Sequence, residues 1–95
     1  MKNFENKHFK LVKNNAISKS GDSAIMLDLK SGIYFELNEV GLLIVDNLSS
    51  FKSFEEINEL IIENFDVDKE QCKLDLNLFL NDLYERYLIE VQKID

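Results

Sequence analysis

The sequence predicts an α+β fold, with strands in the first third of the chain and helices in the rest. Between residues 24 and 37 apolar and polar residues alternate with a period of two, which is typical of half-buried strands. After residue 38 the apolar residues recur every three or four positions, behind residues that commonly cap helices. The length of 95 residues predicts a single domain that spans 1–95.

The strands are predicted as an N-terminal three-stranded antiparallel sheet. Residues 24–29 and 33–37 form a hairpin, because Gly32 between them can adopt the positive φ that a tight turn needs. An earlier turn at Gly21 predicts a third strand over 15–20. In that strand either Ala16 and Ser18 or Ile17 faces inward. The pattern of residues 1–13 is compatible with either a short strand or a loose arm.

Three helices and a short C-terminal strand are predicted to follow. Asn38 opens the first helix, the capping box of Ser53 and Glu56 opens the second, and Asp68 opens the third. The apolar stripe of the first helix is Val40, Leu43, Ile44 and Leu48, and that of the second is Phe54, Ile57, Leu60 and Ile61. The residues expected to face the core from the third helix are Cys72, Leu76, Phe79, Leu80, Leu83 and Tyr87. Residues 87–91 then have a composition typical of a β-strand. This order is that of a winged helix-turn-helix-like domain.

The charge and the composition exclude several classes of protein. The formal net charge is −7, and residues 33–95 carry fifteen acidic against five basic residues. Such a domain repels phosphate backbones and attracts cationic partners, so we expect no nucleic-acid partner. There is no 18-residue apolar run, and residues 1–13 lack the apolar stretch of a signal peptide. We therefore expect a cytoplasmic protein that does not bind membranes.

No set of residues resembles a catalytic or cofactor site. A single cysteine excludes an internal disulfide, and one cysteine with one histidine argues against a tetrahedral zinc site. Cys72 near the start of the third helix has two interpretations, a reactive thiol or a core residue, and its place on the apolar stripe favours the core. His8 is expected to be a surface residue. The sequence holds no phosphate-binding glycine loop. We expect no enzyme activity, no cofactor and no metal.

Two features of the sequence suggest a groove for a peptide. On a helical wheel Leu74 and Leu78 fall off the core stripe of the third helix, beside Asp75 and Asp82. These leucines either pack under the sheet or the N-terminal arm, or form the rim of a groove. Strand 33–37 leads straight into the first helix and is a candidate sheet edge, which can pair with a peptide as an added strand. Acidic walls favour a peptide that carries Lys or Arg.

The hairpin and the start of the first helix resemble the PqqD-like family. Residues 28–41 fit that family's pattern D-x-x-x-G-x-Y-x-x-L-N-x-x-G, and the resemblance extends over about residues 15–91. Further matching positions are Glu56, Ile57, Phe65, Asp66, Val67, Asp75, Phe79, Leu80, Leu83, Leu88 and Ile89. The hairpin motif is fairly specific, whereas the helical matches alone are weak.

The resemblance implies a RiPP recognition element, a winged-helix domain that binds the leader of a ribosomally synthesised, post-translationally modified peptide. In that family the leader adds as a strand beside the third strand and lies against the third helix. The implied docking strand is Ile33, Tyr34, Phe35, Glu36 and Leu37. Asp75 matches an acidic position near the start of the third helix in that family. This position either caps the helix, orients neighbouring groups or touches the peptide. Leu74, Leu78 and Asp82 come from the helical wheel alone.

A standalone domain of this kind acts as a peptide chaperone for a separate modifying enzyme in natural product biosynthesis. The resemblance implies either a radical SAM protein or a lasso-type peptidase as that enzyme. Leu42, Leu43 and Val45 stand where the lasso subgroup often has Gly and a large aromatic residue, which favours the radical SAM protein. We expect a monomer or weak dimer. The alternatives from the residues are a winged-helix transcription regulator and an oligomerisation module that pairs its own edge strand.

Overall fold

Two three-stranded antiparallel sheets enclose three helices in the computed structural model, which describes residues 3–93. The strands are β1 (Lys7–Leu11), β2 (Asn15–Ser20), β3 (Ser23–Asp28), β4 (Tyr34–Leu37), β5 (Lys52–Ser53) and β6 (Ile89–Lys93). The helices are α1 (Glu39–Asp46), α2 (Phe54–Asn64) and α3 (Lys69–Glu85). The predicted α+β order of three strands, three helices and a terminal strand is confirmed.

The first sheet has the strand order β2-β3-β4 and follows the two predicted turns. Gly21 and Gly32 both have positive φ, at 62° and 76°, as tight turns require. Because opposite residues in an antiparallel pair share a face, Met26 of β3 and Phe35 of β4 lie on the same side with Ile17 of β2. Met26 is buried and Ile17 is half-buried, so this side faces the core, with Ile17 facing inward.

The second sheet was not predicted, and it contains residues 7–11 of the N-terminal segment. Its strand order is β5-β1-β6, and β1 pairs with β6 over five residue pairs from Lys7↔Lys93 to Leu11↔Ile89. Phe4 before β1 is fully buried, and its backbone N–H donates to Asn77 Oδ1 of α3 at 2.9 Å. Phe4 also makes an edge contact with Tyr84 of α3, at 5.8 Å between ring centroids. Residues 7–11 thus form a strand.

Local capping sets the helix starts at the predicted residues. Asn38 Oδ1 accepts from Gly41 N–H at 2.9 Å at the start of α1. Ser53 and Glu56 form both bonds of the capping box before α2. At α3 Asp68 accepts from Gln71 N–H at 3.0 Å, but the Gln71 side chain donates to Asp75 instead of returning to the cap. Each cap satisfies an N–H that the helix leaves without a partner.

One apolar core joins both sheets to the helices. Its buried residues are Phe4, Phe9, Ala24, Met26, Leu37, Ile44, Val45, Leu48, Phe54, Ile57, Ile61, Cys72, Leu76, Leu80, Leu83, Leu88 and Ile89. Four residues predicted to face the core are only half-buried, namely Val40, Leu43, Leu60 and Phe79, whereas Val45 was not predicted there and is buried. Tyr87 was predicted to face the core and is 86% exposed, because α3 ends at Glu85 and the chain reverses at Tyr87.

Candidate functional site

The outer edge of β4 is the starting point of the candidate site. Within residues 3–93, β4 has a strand neighbour on one side only, namely β3. Asp28 N–H donates to the Ile33 carbonyl at 2.8 Å, so Ile33 is a residue whose backbone groups face β3. Every second residue after it also faces β3. The N–H and C=O groups of Phe35 and Leu37 therefore point toward β3, and those of Tyr34 and Glu36 point toward the open edge. This edge offers backbone groups to an added strand.

Helix α3 runs along the open edge of β4 in the opposite direction. We call the space between them, together with its extension past Leu37 toward α1 and α2, the groove, and three cavities lie along it. The upper cavity, of about 430 Å³, lies among α1, α2 and the Gln71–Phe79 part of α3. The middle cavity, of about 730 Å³, lies between the Phe35–Asn38 segment and Asp82. The lower cavity, of about 310 Å³, lies between Ile33 and the end of α3.

The three cavities adjoin one another along the groove, since neighbouring cavities share lining residues. Phe79 and Asn38 line both the upper and the middle cavity, and Phe35 lines both the middle and the lower cavity. The α3 wall consists of Gln71, Asp75, Phe79, Asp82 and Arg86, which are spaced three or four residues apart. Residues at this spacing share one face of a helix. The groove combines an open strand edge with an apolar floor, which suits an extended peptide.

Acidic side chains on the α3 wall are held in place by neighbours on the same helix. Asp75 accepts a hydrogen bond from Gln71 Nε2 at 3.0 Å. Asp82 accepts from Arg86 Nε at 3.2 Å, and the Arg86 guanidinium lies 4.4 Å from the centroid of the Phe35 ring on β4. Arg86 thus crosses the groove near its lower end. The two aspartates give the wall its negative character.

The predicted docking residues fall into three groups. Phe35, Glu36, Leu37 and Asp82 line the middle cavity, Asp75 lines the upper cavity, and Ile33 lines the lower cavity. Ile33 lies just outside β4, and Tyr34 lies on the sheet face opposite the core. Leu74 and Leu78 line none of these three cavities, and they are 63% and 54% exposed. They are therefore not packed under the sheet or the arm.

The angular positions of the side chains around α3 explain where Leu74 and Leu78 lie. On the helical wheel, the Gln71–Asp75–Phe79–Asp82 stripe lies directly beside the core stripe on the β4 side. Leu78 follows next to Asp82, and Leu74 lies further toward solvent. The sequence analysis missed Gln71, Phe79, Arg86 and Asn38 as groove residues. The i, i+4, i+8 spacing of Gln71, Asp75 and Phe79 was the available signal, but it does not say on which side of α3 the sheet lies.

The single cysteine, Cys72, lines the upper cavity and belongs to the apolar core. Cys72 is buried, and burial, together with the nearby Asp75 carboxylate, raises the pKa of its thiol. A raised pKa disfavours the thiolate, which is the reactive form. The core interpretation of Cys72 therefore agrees with its surroundings. Residues 3–93 also contain no group of three His, Cys, Asp or Glu side chains that could hold a metal ion.

A hydrogen-bonded turn fixes the lower end of β4. Asp28 accepts from Ser31 Oγ at 2.7 Å and from Lys30 N–H at 3.2 Å. These bonds favour the carboxylate, and the Ser31 bond contributes most to lowering the pKa of Asp28 below its ordinary value of 3.8. These bonds therefore stabilise the turn at pH values above the ordinary pKa of Asp28. This stability is lost as the pH falls through the lowered pKa.

Removing the serine hydroxyl tests this assignment. We expect Ser31→Ala to raise the pKa of Asp28 toward 3.8, because the strongest bond to the carboxylate is lost. The measurement is an NMR titration of the Asp28 carboxyl. In Lys30→Gln the backbone donor remains, so that variant serves as the control with a smaller change. An unchanged pKa in Ser31→Ala would contradict the assignment.

Comparison with known proteins identifies the family. Residues 23–89 match the sequence profile described as coenzyme PQQ synthesis protein D (PqqD), which is more than half of the chain. The chain belongs to the PqqD family. Within residues 3–93 no helix has the length and apolar character needed to cross a membrane. No curated protein sequence matches the chain.

Two solved structures resemble this PqqD-family chain closely. "TbiB1 in complex with the TbiA(beta) leader peptide" is 31% identical, covers 90% of this chain and 99% of that chain, and superposes with a TM-score of 0.76. "Lasso peptide synthetase B1 complexed with the leader peptide" is 22% identical and superposes with a TM-score of 0.72. The match covers 86% of this chain and 96% of that chain. The second similarity is one of fold. Both proteins were solved with a leader peptide bound.

Proposed function

We propose that this chain binds the leader segment of a ribosomally synthesised precursor peptide by β-strand addition at β4. As a single recognition domain in the cytoplasm, it then presents the precursor to a separate modifying enzyme. The observation that carries this proposal is the open edge of β4, which faces the groove along α3. The 31% identical TbiB1, which was solved with a leader peptide, supports it.

The chain acts as a recognition element without chemistry of its own. The leader's backbone pairs with Tyr34 and Glu36, and its apolar side chains rest on Phe35, Leu37 and Phe79. Asp75 and Asp82 favour basic leader residues at the α3 wall. The modifying enzyme is a radical SAM protein or a lasso-type peptidase. The precursor gene and the enzyme gene are expected to neighbour this gene.

Calorimetric titration tests the proposal directly. The probe is a synthetic peptide with the leader segment of the precursor encoded beside this gene. We expect binding without any cofactor, an unchanged peptide mass afterwards, and amide shifts in β4 and α3. No binding up to about millimolar peptide, which corresponds to only about −4 kcal/mol, would overturn the proposal. Binding of promoter DNA at low salt would favour the transcription regulator, and self-association through β4 would favour the oligomerisation module.

The dependence on salt gives a second prediction. The net charge of −7 steers a basic leader toward the groove, and salt screens this attraction. We expect the Kd for a basic leader to rise about 3- to 10-fold between low and high NaCl. The measurement is the same titration at several NaCl concentrations. A constant Kd would show that backbone and apolar contacts dominate.

The two exposed leucines give a third prediction. We propose that Leu78, beside Asp82, is a rim residue of the groove. Because Leu78 is exposed, Leu78→Asp is expected to change stability by no more than about 0.5 kcal/mol. The same change places a carboxylate at an apolar contact and is expected to weaken leader binding about tenfold. Leu74→Asp, one turn earlier, is the matched control with a smaller effect. Equal affinity of a folded Leu78→Asp variant and the wild type would remove Leu78 from the site.

A further inference from the structure

Tyr87 has an unusual backbone conformation at the end of α3. Residues 3–93 contain three positive-φ positions, two of which are glycines, whereas Tyr87 has a φ of 60°. Leu88 N–H donates to the Leu83 carbonyl at 2.9 Å, and Tyr87 N–H donates to the Tyr84 carbonyl at 3.1 Å. These bonds form a Schellman motif, in which the left-handed position is usually glycine because a Cβ is disfavoured there. The tyrosine at this position therefore strains the backbone.

The fold receives no packing in return for this strain. The Tyr87 side chain is 86% exposed, more than any other large apolar or aromatic residue in the described part of the chain. The next residue, Leu88, is buried and anchors the reversal of the chain without help from the ring. A glycine at position 87 would serve the helix end better. Strained residues without a structural benefit are found mainly at functional sites.

The surroundings of Tyr87 indicate what the ring contacts. Tyr87 lines the lower cavity with Ile33, Phe35 and Arg86. Ile33 is 53% exposed, and the Arg86 guanidinium covers the Phe35 ring at 4.4 Å. Three apolar or aromatic side chains, Ile33 and Phe35 on one side and Tyr87 on the other, therefore line this open space at the lower end of the groove, with Asp28, Ser31 and Glu85 at its margin. Its wall is suited to an apolar side chain.

The length of the groove shows which ligand reaches this space. From Gln71 to Arg86, α3 extends over roughly 22 Å, at about 1.5 Å per residue. An extended peptide rises about 3.3 Å per residue, so roughly seven of its residues lie along this length. The four residues of β4 pair with only about four of them. A peptide that follows α3 over this length therefore continues beyond the four residues of β4, with one end at the upper cavity and the other past Ile33 at the lower cavity.

We propose that Tyr87, Ile33 and the stacked Phe35–Arg86 pair form a second contact site, which binds a large apolar side chain of the leader just beyond its β4-paired segment. This proposal rests on the proposed function, because the ligand is the same peptide. It adds a specificity determinant outside the docking strand. Tyr87 stabilises the complex at the expense of the free domain.

Replacing Tyr87 by glycine separates binding from folding. Tyr87→Gly relieves the left-handed strain, so we expect the Tm to rise by about 4–8 °C. The same variant loses the ring, and we expect the Kd for the synthetic leader peptide to rise about tenfold. Tyr87→Phe retains the ring and is expected to bind within about twofold of the wild type. Ile33→Ser, on the other wall, is expected to weaken binding as Tyr87→Gly does.

The outcomes distinguish this site from the groove as a whole. A Tyr87→Gly variant that is more stable and binds the leader more weakly supports the second contact site. A Tyr87→Gly variant that binds within twofold of the wild type overturns it, provided that wild-type β4 amides shift on binding. A lower Tm in Tyr87→Gly overturns the premise that the ring does not stabilise the fold. If the wild type does not bind, or if β4 does not shift, the proposed function itself fails.

Discussion

Glu36→Pro is expected to weaken leader binding about 10- to 100-fold while leaving the domain folded. The N–H of Glu36 points away from β3, so proline removes a donor from the open edge and none from the existing ladder. A peptide carbonyl that loses this partner remains unsatisfied at a cost of about 1–3 kcal/mol, and tenfold in Kd corresponds to about 1.4 kcal/mol. The measurements are the Kd for the leader and the Tm of the free variant.

Two controls separate the backbone from the side chain at position 36. Glu36→Gln retains the N–H and removes only the charge, so it is expected to bind within a few-fold of the wild type. Leader peptides with single N-methyl groups test the same ladder from the peptide side, with the protein unchanged. A folded Glu36→Pro variant that binds the leader as tightly as the wild type would show that the peptide does not pair with β4.

Leu80→Ala is expected to have the largest effect on stability, lowering the free energy of unfolding by about 2–5 kcal/mol. Leu80 is fully buried, and its truncation leaves a cavity that the surrounding core fills only in part. A loss of this size is a large share of the roughly 5–15 kcal/mol typical of a small domain. Urea denaturation measures it. A change below about 1 kcal/mol would contradict the position of Leu80 in the core.

The neighbouring Phe79 provides the matched variant for function. Phe79 is half-buried and lines the upper and middle cavities, whereas Leu80 lines neither. Phe79→Ala is therefore expected to cost less stability than Leu80→Ala and to weaken leader binding much more. The reverse order in both measurements would show that the α3 face toward β4 has been misassigned. The sequence alone placed both residues on the same core face of the third helix.

Local signals predicted the elements of this fold, and they did so because each signal reports a local interaction. The capping residues Asn38 and Ser53 bind backbone groups within three residues, so their motifs were sufficient to locate α1 and α2. Gly21 and Gly32 likewise located the turns. The strand β1 was left open because its partners, β5 and β6, lie about 40 and 80 residues away. No local pattern reports such a pairing.

The candidate site was predicted on its strand side better than on its helix side. The edge position of β4 follows from a hairpin that leads directly into a helix, and residues 35–37 line the middle cavity, while their role in peptide binding stays a prediction. On α3 the helical wheel gave the angles of Leu74 and Leu78 correctly. It could not tell which flank of the core stripe faces β4, because that depends on how the whole sheet packs. Tyr87 was misplaced because the wheel was continued past the end of the helix.

The pairing of β1 with β6 has a consequence for how the chain folds. The β2–β3–β4 sheet joins strands that are neighbours in sequence, and its hairpins close over short loops at a small entropic cost. By contrast β1 pairs with β6, which lies about 80 residues later in the chain, so this edge of β1 stays unpaired until β6 has been synthesised. The nascent chain therefore completes the sheet that carries the peptide-binding edge before it can close its second sheet. Until β6 is made, the edge of β1 that β6 later covers is open in addition to the edge of β4, and this interval is when the chain is most exposed to aggregation.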